Sequence, residues 1–163
     1  MRRYRFLWIF ISLVPIAHSY SDESLTTDFS QAMQTYGDRL GYCSNIAKSN
    51  HKTFPVTDWF ASLNESDKKR VLTFLFLDNS DKCSAKERLA LVKVLDKFPK
   101  ITMTTDKHPD GVTFDEIRQS LGLVEQIDHQ EKISGLDFTE VKKIQAQFDQ
   151  PFNPISVIEA LAL

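Results

Sequence analysis

The amino-acid sequence predicts an all-α fold, a compact bundle of about six or seven short helices closed by one disulfide. Apolar residues recur at steps of three and four along most of the chain, which is the period of a helix with one buried face. Helix-capping patterns precede several of these stretches, and the chain contains two cysteines that can pair.

Residues 1–19 have the pattern of a secretory signal peptide. Three arginines among the first five residues precede an apolar run from Phe6 to Ala17, and the small residue Ser19 follows. The run is shorter than the roughly 20 residues that a membrane-spanning helix needs. We therefore predict cleavage after Ser19 and export to the periplasm or the extracellular space, with no stable membrane insertion afterwards.

Cleavage would make the chain more acidic. It would leave 17 Lys and Arg against 22 Asp and Glu, a net charge of −5. An acidic chain binds phosphates poorly, so we exclude nucleic acid as a partner. The remaining residues, 20–163, have the usual size of a single helical domain, with a candidate subdomain break near 99–112.

The two cysteines, Cys43 and Cys83, both follow the cleavage site. An exported chain meets an oxidising compartment, so we predict a disulfide between them. Closing a loop of about 40 residues restricts the unfolded chain by roughly 4 kcal/mol in the chain-entropy model. The absence of a Cys-x-x-Cys motif disfavours a redox-active pair.

The first helix is predicted over residues 25–47. Cys43 lies on its apolar stripe and should face the core. Gly37 and Gly41 lie one turn apart, and each costs about 1 kcal/mol relative to alanine inside a helix. They suggest either a close packing contact or a helix break near Gly41.

Helix starts are marked by capping residues. Capping-box patterns occur at Ser84–Glu87, Thr113–Glu116 and Asp137–Glu140, with weaker caps at Thr57 and Asn64 and a proline after Asn153. We therefore predict that a helix begins at Ser84, which would place Cys83 immediately before a cap.

The remaining elements follow from these boundaries. The apolar run 71–77 indicates a buried central helix after the Asn64 cap, with a strand as the open alternative. The other expected elements are helices over 84–98, 114–121, 123–133, 138–148 and 154–163, and a long loop or one short strand over 99–111.

The stretch DKHPDGVTFDEI, residues 106–117, resembles an EF-hand calcium loop. Asp106, His108 and Asp110 match the front of such a loop. Glu116 matches its end but falls one place before the position of the required bidentate Glu. Calcium binding through a degenerate loop is therefore an alternative to a plain turn that leads into a capped helix.

Trp59 and Phe60 are the candidate binding residues, because they lie in a short segment where they could form an exposed aromatic patch. The other aromatic residues have the spacing of core positions. The histidines at 51, 108 and 129 lack the spacing of a zinc-binding helix and are expected to be exposed in loops.

No catalytic or cofactor-binding motif stands out in the sequence, so no cofactor is expected. The leading hypothesis is an exported, non-enzymatic helical binding protein, such as an inhibitor, an immunity-type protein or an accessory protein. Its partner would be another protein or an envelope component. The alternative class is a small cell-envelope hydrolase whose acidic residues converge only in three dimensions.

Overall fold

The computed structural model of the protein describes residues 22–97, 102–105, 108–123 and 127–163. Its elements are α1 (Asp22–Ser49), α2 (Asp58–Ser62), α3 (Glu65–Lys97), β1 (Thr102–Thr105), β2 (His108–Thr113), α4 (Phe114–Ser120), a 3-10 helix (Gln130–Ile133), α5 (Phe138–Gln147) and α6 (Pro154–Ala160). This arrangement confirms the predicted all-α fold with one disulfide. The predicted signal peptide lies outside the described residues.

The central element is α3, a single helix of 33 residues and so about 50 Å long. It begins where the sequence predicted, because the Asn64 Oδ1 accepts a hydrogen bond from the Asp67 backbone N–H at 2.9 Å. The run 71–77 lies in its first half, so the buried helix is confirmed and the alternative of a strand is wrong.

Two apolar clusters lie at different heights along α3. The first surrounds its N-terminal half and includes Phe54, Phe60, Val71, Leu72, Phe74, Leu75, Ile133, Val141, Ile144, Phe148 and Phe152. The second surrounds its C-terminal half and includes Phe29, Leu91, Val92, Leu95, Phe114 and Leu123. Between the clusters, the buried residues of α3 are polar: Asn79, Ser84 and Arg88.

The disulfide lies in this polar middle of α3. Cys43 of α1 is bonded to Cys83 of α3, with their Cα atoms 6.1 Å apart, which confirms the predicted pairing. The Arg39 Nε donates to the Cys83 carbonyl at 2.7 Å and lies 3.7 Å from a Glu87 carboxylate oxygen. A covalent bond and charged contacts therefore hold α1 against α3 where no apolar cluster does.

The predicted helix start at Ser84 is wrong. The α3 helix continues through Cys83 and Ser84 without a break, and the Ser84 hydroxyl donates to the Ser80 carbonyl at 3.4 Å. Ser84 is buried, and packing of α3 on both sides of this position keeps its backbone in helical hydrogen bonds. A capping sequence does not end a helix that tertiary packing continues.

Both expectations for the glycines of α1 are also wrong. The α1 helix runs unbroken through Gly37 and Gly41, and a Cβ atom at either position would meet nothing within 4 Å. Phe29 and Cys43 are buried on either side of the pair, so contacts with α3 and α4 maintain the helix despite the two glycines.

The other caps are local and form as predicted. The Thr57, Thr113, Asp137 and Asn153 side chains accept hydrogen bonds from the first turns of α2, α4, α5 and α6. The predicted helix over 123–133 is wrong, since its described part forms only the 3-10 helix. The predicted long loop or single short strand over 99–111 is also wrong, because β1 and β2 form an antiparallel pair in which Thr102 lies opposite Thr113.

Removal of the disulfide should destabilise the fold. We expect the double variant Cys43→Ser, Cys83→Ser to lose up to about 4 kcal/mol of unfolding free energy, because the bond closes a loop of 40 residues. Urea unfolding of oxidised protein, reduced protein and the variant measures this loss. The reduced protein should match the variant, and equal midpoints in all three samples would contradict the prediction.

Glu116 should stabilise α4 in a pH-dependent way. Its carboxylate accepts hydrogen bonds from the Thr113 backbone N–H at 2.7 Å and the Thr113 hydroxyl at 2.8 Å, and these bonds lower the Glu116 pKa. Because the pKa is lower in the folded protein than in the unfolded chain, the ionised carboxylate adds to the free energy of unfolding. This addition is complete above the ordinary carboxyl pKa of about 4 to 4.5, and it disappears as the pH falls through the folded-state pKa.

We therefore expect Glu116→Gln to lower stability at neutral pH, with a difference from the unmodified protein that narrows on acidification. Urea unfolding at pH 7 and at pH 3 measures it. Glu159→Gln, at an exposed position of α6, is the matched control. If Glu116→Gln loses the same unfolding free energy at both pH values, the interpretation of Glu116 as part of an ionised cap is contradicted.

Candidate functional site

A groove of about 320 Å³ opens between the segment 50–56 and α6. Its volume lies near the lower end of the range for ligand sites, roughly 300–1,000 Å³. It is lined by Asn50, His51, Lys52, Thr53, Phe54, Val56, Phe148, Phe152, Asn153, Ser156, Val157, Ala160 and Leu161. A cleft of this size accommodates one or two side chains of another molecule.

The floor of the groove is aromatic. Phe54, Phe148 and Phe152 are all buried members of the first apolar cluster. The ring centroids of Phe54 and Phe148 are 5.3 Å apart in an edge-to-face arrangement, and those of Phe148 and Phe152 are 4.8 Å apart. The floor therefore belongs to the packed core and has a defined shape.

One wall is fixed by Asn50. Its Nδ2 donates to the Pro151 carbonyl at 2.9 Å, and its Oδ1 accepts from the Lys52 backbone N–H at 2.9 Å. Because a single amide side chain bonds to both segments, the segment that follows α1 is tied to the segment that precedes α6.

The other wall is α6, which starts at the edge of the floor. Asn153 caps the helix, and its Oδ1 accepts from the Ile155 backbone N–H at 3.0 Å, with Pro154 in the first turn. Proline suits this position because its fixed φ matches the helix and no N–H is required there. The exposed Ser156 and Ala160 of α6 line the groove.

Asn79 of α3 holds the segment that carries the floor. It is buried, and its Nδ2 donates to the carbonyl oxygens of Phe148 at 2.8 Å and Gln150 at 3.1 Å. These bonds satisfy backbone acceptors after the end of α5. One buried amide thus adds hydrogen bonds to the apolar packing that positions the floor relative to the central helix.

The charge of the lining differs from that of the chain. Lys52 and His51 line the groove, whereas none of the described residues that line it is Asp or Glu. The apolar side chain of Val56 lies in the lining and is 53% exposed, so it forms an apolar margin of the groove. The site therefore combines an apolar floor, an apolar margin and a basic wall.

The predicted aromatic patch does not form. Phe60 is 1% exposed and packs in the first apolar cluster 4.9 Å from the Phe54 ring centroid, so its assignment to an exposed pair is wrong. Trp59 is half-buried against the same cluster. The cap at Thr57 fixes α2 with Phe60 towards the core, and neither residue lines the groove.

The residues of the predicted calcium loop lie in different elements of the structure. His108 and Asp110 lie on β2, Asp106 lies outside the described residues, and the Glu116 carboxylate bonds to Thr113 in the cap of α4. No group of three or more potential metal ligands occurs within the described ranges. Calcium binding stays a prediction.

The residue pattern did not predict a polar cluster at the middle of α3. The ring Nε2 of His129, a residue expected to be exposed, lies within hydrogen-bond distance of the Asp81 carboxylate of α3, and only 15% of the His129 side chain is exposed. Burial raises the pKa of the nearby Tyr36 hydroxyl, and the Arg88 charge and a hydrogen bond with Ser84 oppose this rise. These contacts fasten α1 and the segment before the 3-10 helix to α3.

No family, curated protein or solved structure matches this chain. Within the part of the chain that the structure describes, no helix combines the length and the apolar character needed to cross a bilayer. The function must therefore be argued from the geometry of the groove.

Replacement of Asn79 should lower stability and disturb the groove. We expect Asn79→Ala to reduce the unfolding free energy by about 1–3 kcal/mol, because two backbone carbonyls lose a buried donor. Urea unfolding measures the loss, and NMR spectra should show shifts at Phe148 and Phe152. Asn45→Ala, at an exposed position of α1, is the control. Equal stability of the two variants would contradict this role.

Proposed function

We propose that the protein is an exported, non-enzymatic binding protein that holds an apolar side chain of a partner protein in the groove beside α6. The observation that carries the proposal is an aromatic floor with no carboxylate among the described lining residues. An inhibitor, an immunity-type protein and an accessory subunit would all use such a site.

The shape of the groove favours a protein partner. Interfaces derive most of their affinity from a few large side chains that fill desolvated pockets, and a groove of about 320 Å³ suits one such anchor. The hydrogen bonds of Asn50 and Asn79 fix the wall and the floor in advance. Preorganisation reduces the entropy lost on binding, which favours affinity at a small site.

Export is supported by two features. Residues 1–19 have the pattern of a signal peptide, and the Cys43–Cys83 disulfide is a bond typical of proteins in oxidising compartments. Both fit a protein that meets its partner outside the cytosol.

The alternative of a hydrolase has less support. Carboxylate catalysis of glycoside cleavage needs two acidic side chains that face each other across a cleft, roughly 5–9.5 Å apart. The groove offers none among its described lining residues. The ionisable side chains there, His51 and Lys52, are suited to recognition of an anionic group.

Blocking the groove should abolish binding without unfolding the protein. Ala160 is exposed and lines the groove, so Ala160→Trp would fill it, whereas Ala146→Trp on the exposed face of α5 is the matched control. Peptides selected from a displayed random library on the unmodified protein are the probes. We expect Ala160→Trp to weaken their binding at least tenfold, and Ala146→Trp to leave it unchanged.

For this experiment the protein is expressed with residues 1–19 as its signal sequence. An intact mass that matches residues 20–163, a chain beginning at Tyr20, tests the export part of the proposal. Fluorescence polarisation measures peptide affinity, and thermal unfolding verifies that both variants fold. Equal affinity for Ala160→Trp and the unmodified protein, or a selection that yields no binding peptide, would overturn the groove as the binding site.

A further inference from the structure

We infer that the partner segment is acidic: the groove takes an apolar side chain with a carboxylate beside it. This inference rests on the proposed function and adds the chemistry of the partner. The inference rests on the positions of the charged and the apolar side chains, which occupy different parts of the groove lining.

The basic groups lie on one wall only. His51 and Lys52 are neighbours in the exposed segment that follows α1, and both line the groove. The opposite wall contributes the uncharged Asn153 and Ser156. A carboxylate next to the anchor would therefore be attracted to the first wall, while uncharged polar groups of the partner could hydrogen-bond to the second.

The absence of acidic lining residues contrasts with the whole chain. The sequence contains 22 acidic and 20 basic side chains, yet the described lining contains Lys52 and no Asp or Glu. Complementary charge at the rim of an interface raises the association rate and excludes partners of like charge. A basic segment would meet repulsion at Lys52.

The apolar margin sets where the acidic group can lie. Val56 lies in the lining and is 53% exposed, so it extends the apolar contact surface past the aromatic floor. A partner segment with two adjacent apolar residues flanked by carboxylates would cover this surface and reach Lys52. Lysine suits such an exposed contact because its ammonium group is a mobile, hydrated charge.

Two acetylated and amidated tetrapeptides test the inference, Glu-Leu-Phe-Glu and Lys-Leu-Phe-Lys. Their binding to the intact oxidised protein is followed by NMR titration of the groove resonances. We expect the acidic peptide to bind at least about fivefold more tightly at low salt, the effect of one charge pair near 4 Å in water. The preference should shrink as salt rises.

Charge reversal supplies the decisive comparison. Lys52→Glu should abolish or reverse the preference, whereas Lys93→Glu, which changes the net charge equally at an exposed position of α3, should retain it. Both positions are exposed, and thermal unfolding confirms that both variants fold. A preference that survives Lys52→Glu overturns the inference.

The experiment separates the two proposals. If the NMR shifts of the groove residues show equal affinity for both peptides or a preference for the basic peptide, the acidic partner is contradicted but the binding site is not. The acidic partner is also contradicted if the acidic tetrapeptide does not bind to a protein that binds library-selected peptides at the groove. A protein that binds neither tetrapeptide and no selected peptide overturns the proposed function itself.

Discussion

The Cys43–Cys83 disulfide crosses the part of α3 where the apolar packing is interrupted. A helix of about 50 Å cannot be covered by one small core, and here two apolar clusters cover its two halves. The buried residues between them are polar, so little hydrophobic free energy is available there to hold α1 in place. The covalent bond, assisted by Arg39 on the Cys83 carbonyl, fixes α1 against α3 at this height.

The groove depends on the same central helix. Asn79, in the polar middle of α3, holds the backbone that carries Phe148, and Phe148 with Phe152 forms the groove floor. On the other side of the groove, Asn50, the first residue after α1, donates a hydrogen bond to the Pro151 carbonyl. The position of the floor is therefore set by α3, and the position of the basic wall by α1, which the disulfide holds on α3.

This arrangement gives a small site a fixed shape. Its floor is part of the core, and the buried Asn79 and the half-buried Asn50 tie the floor and one wall to neighbouring segments. Binding to such a site would lose little conformational entropy in the protein itself. Specificity would then arise from the fit of one apolar anchor and from the sign of the neighbouring charge.

Features that depend on near neighbours along the chain were predictable from the residues alone. The caps at Thr57, Asn64, Thr113, Asp137 and Asn153 form as predicted, because a capping side chain satisfies backbone groups two or three residues away. The all-α class and the disulfide were also predictable, from apolar periodicity and from two cysteines in a chain that the sequence predicts to be exported. Three other features were not predictable in this way: α3 continues through Ser84, Phe60 is buried, and the His129 ring lies against the Asp81 carboxylate. The fold also brings together two segments that are distant in sequence, 50–56 and 148–161, and these form the groove. These outcomes depend on residues distant in sequence, whose contacts outweigh local propensity and leave no periodic signal in the chain.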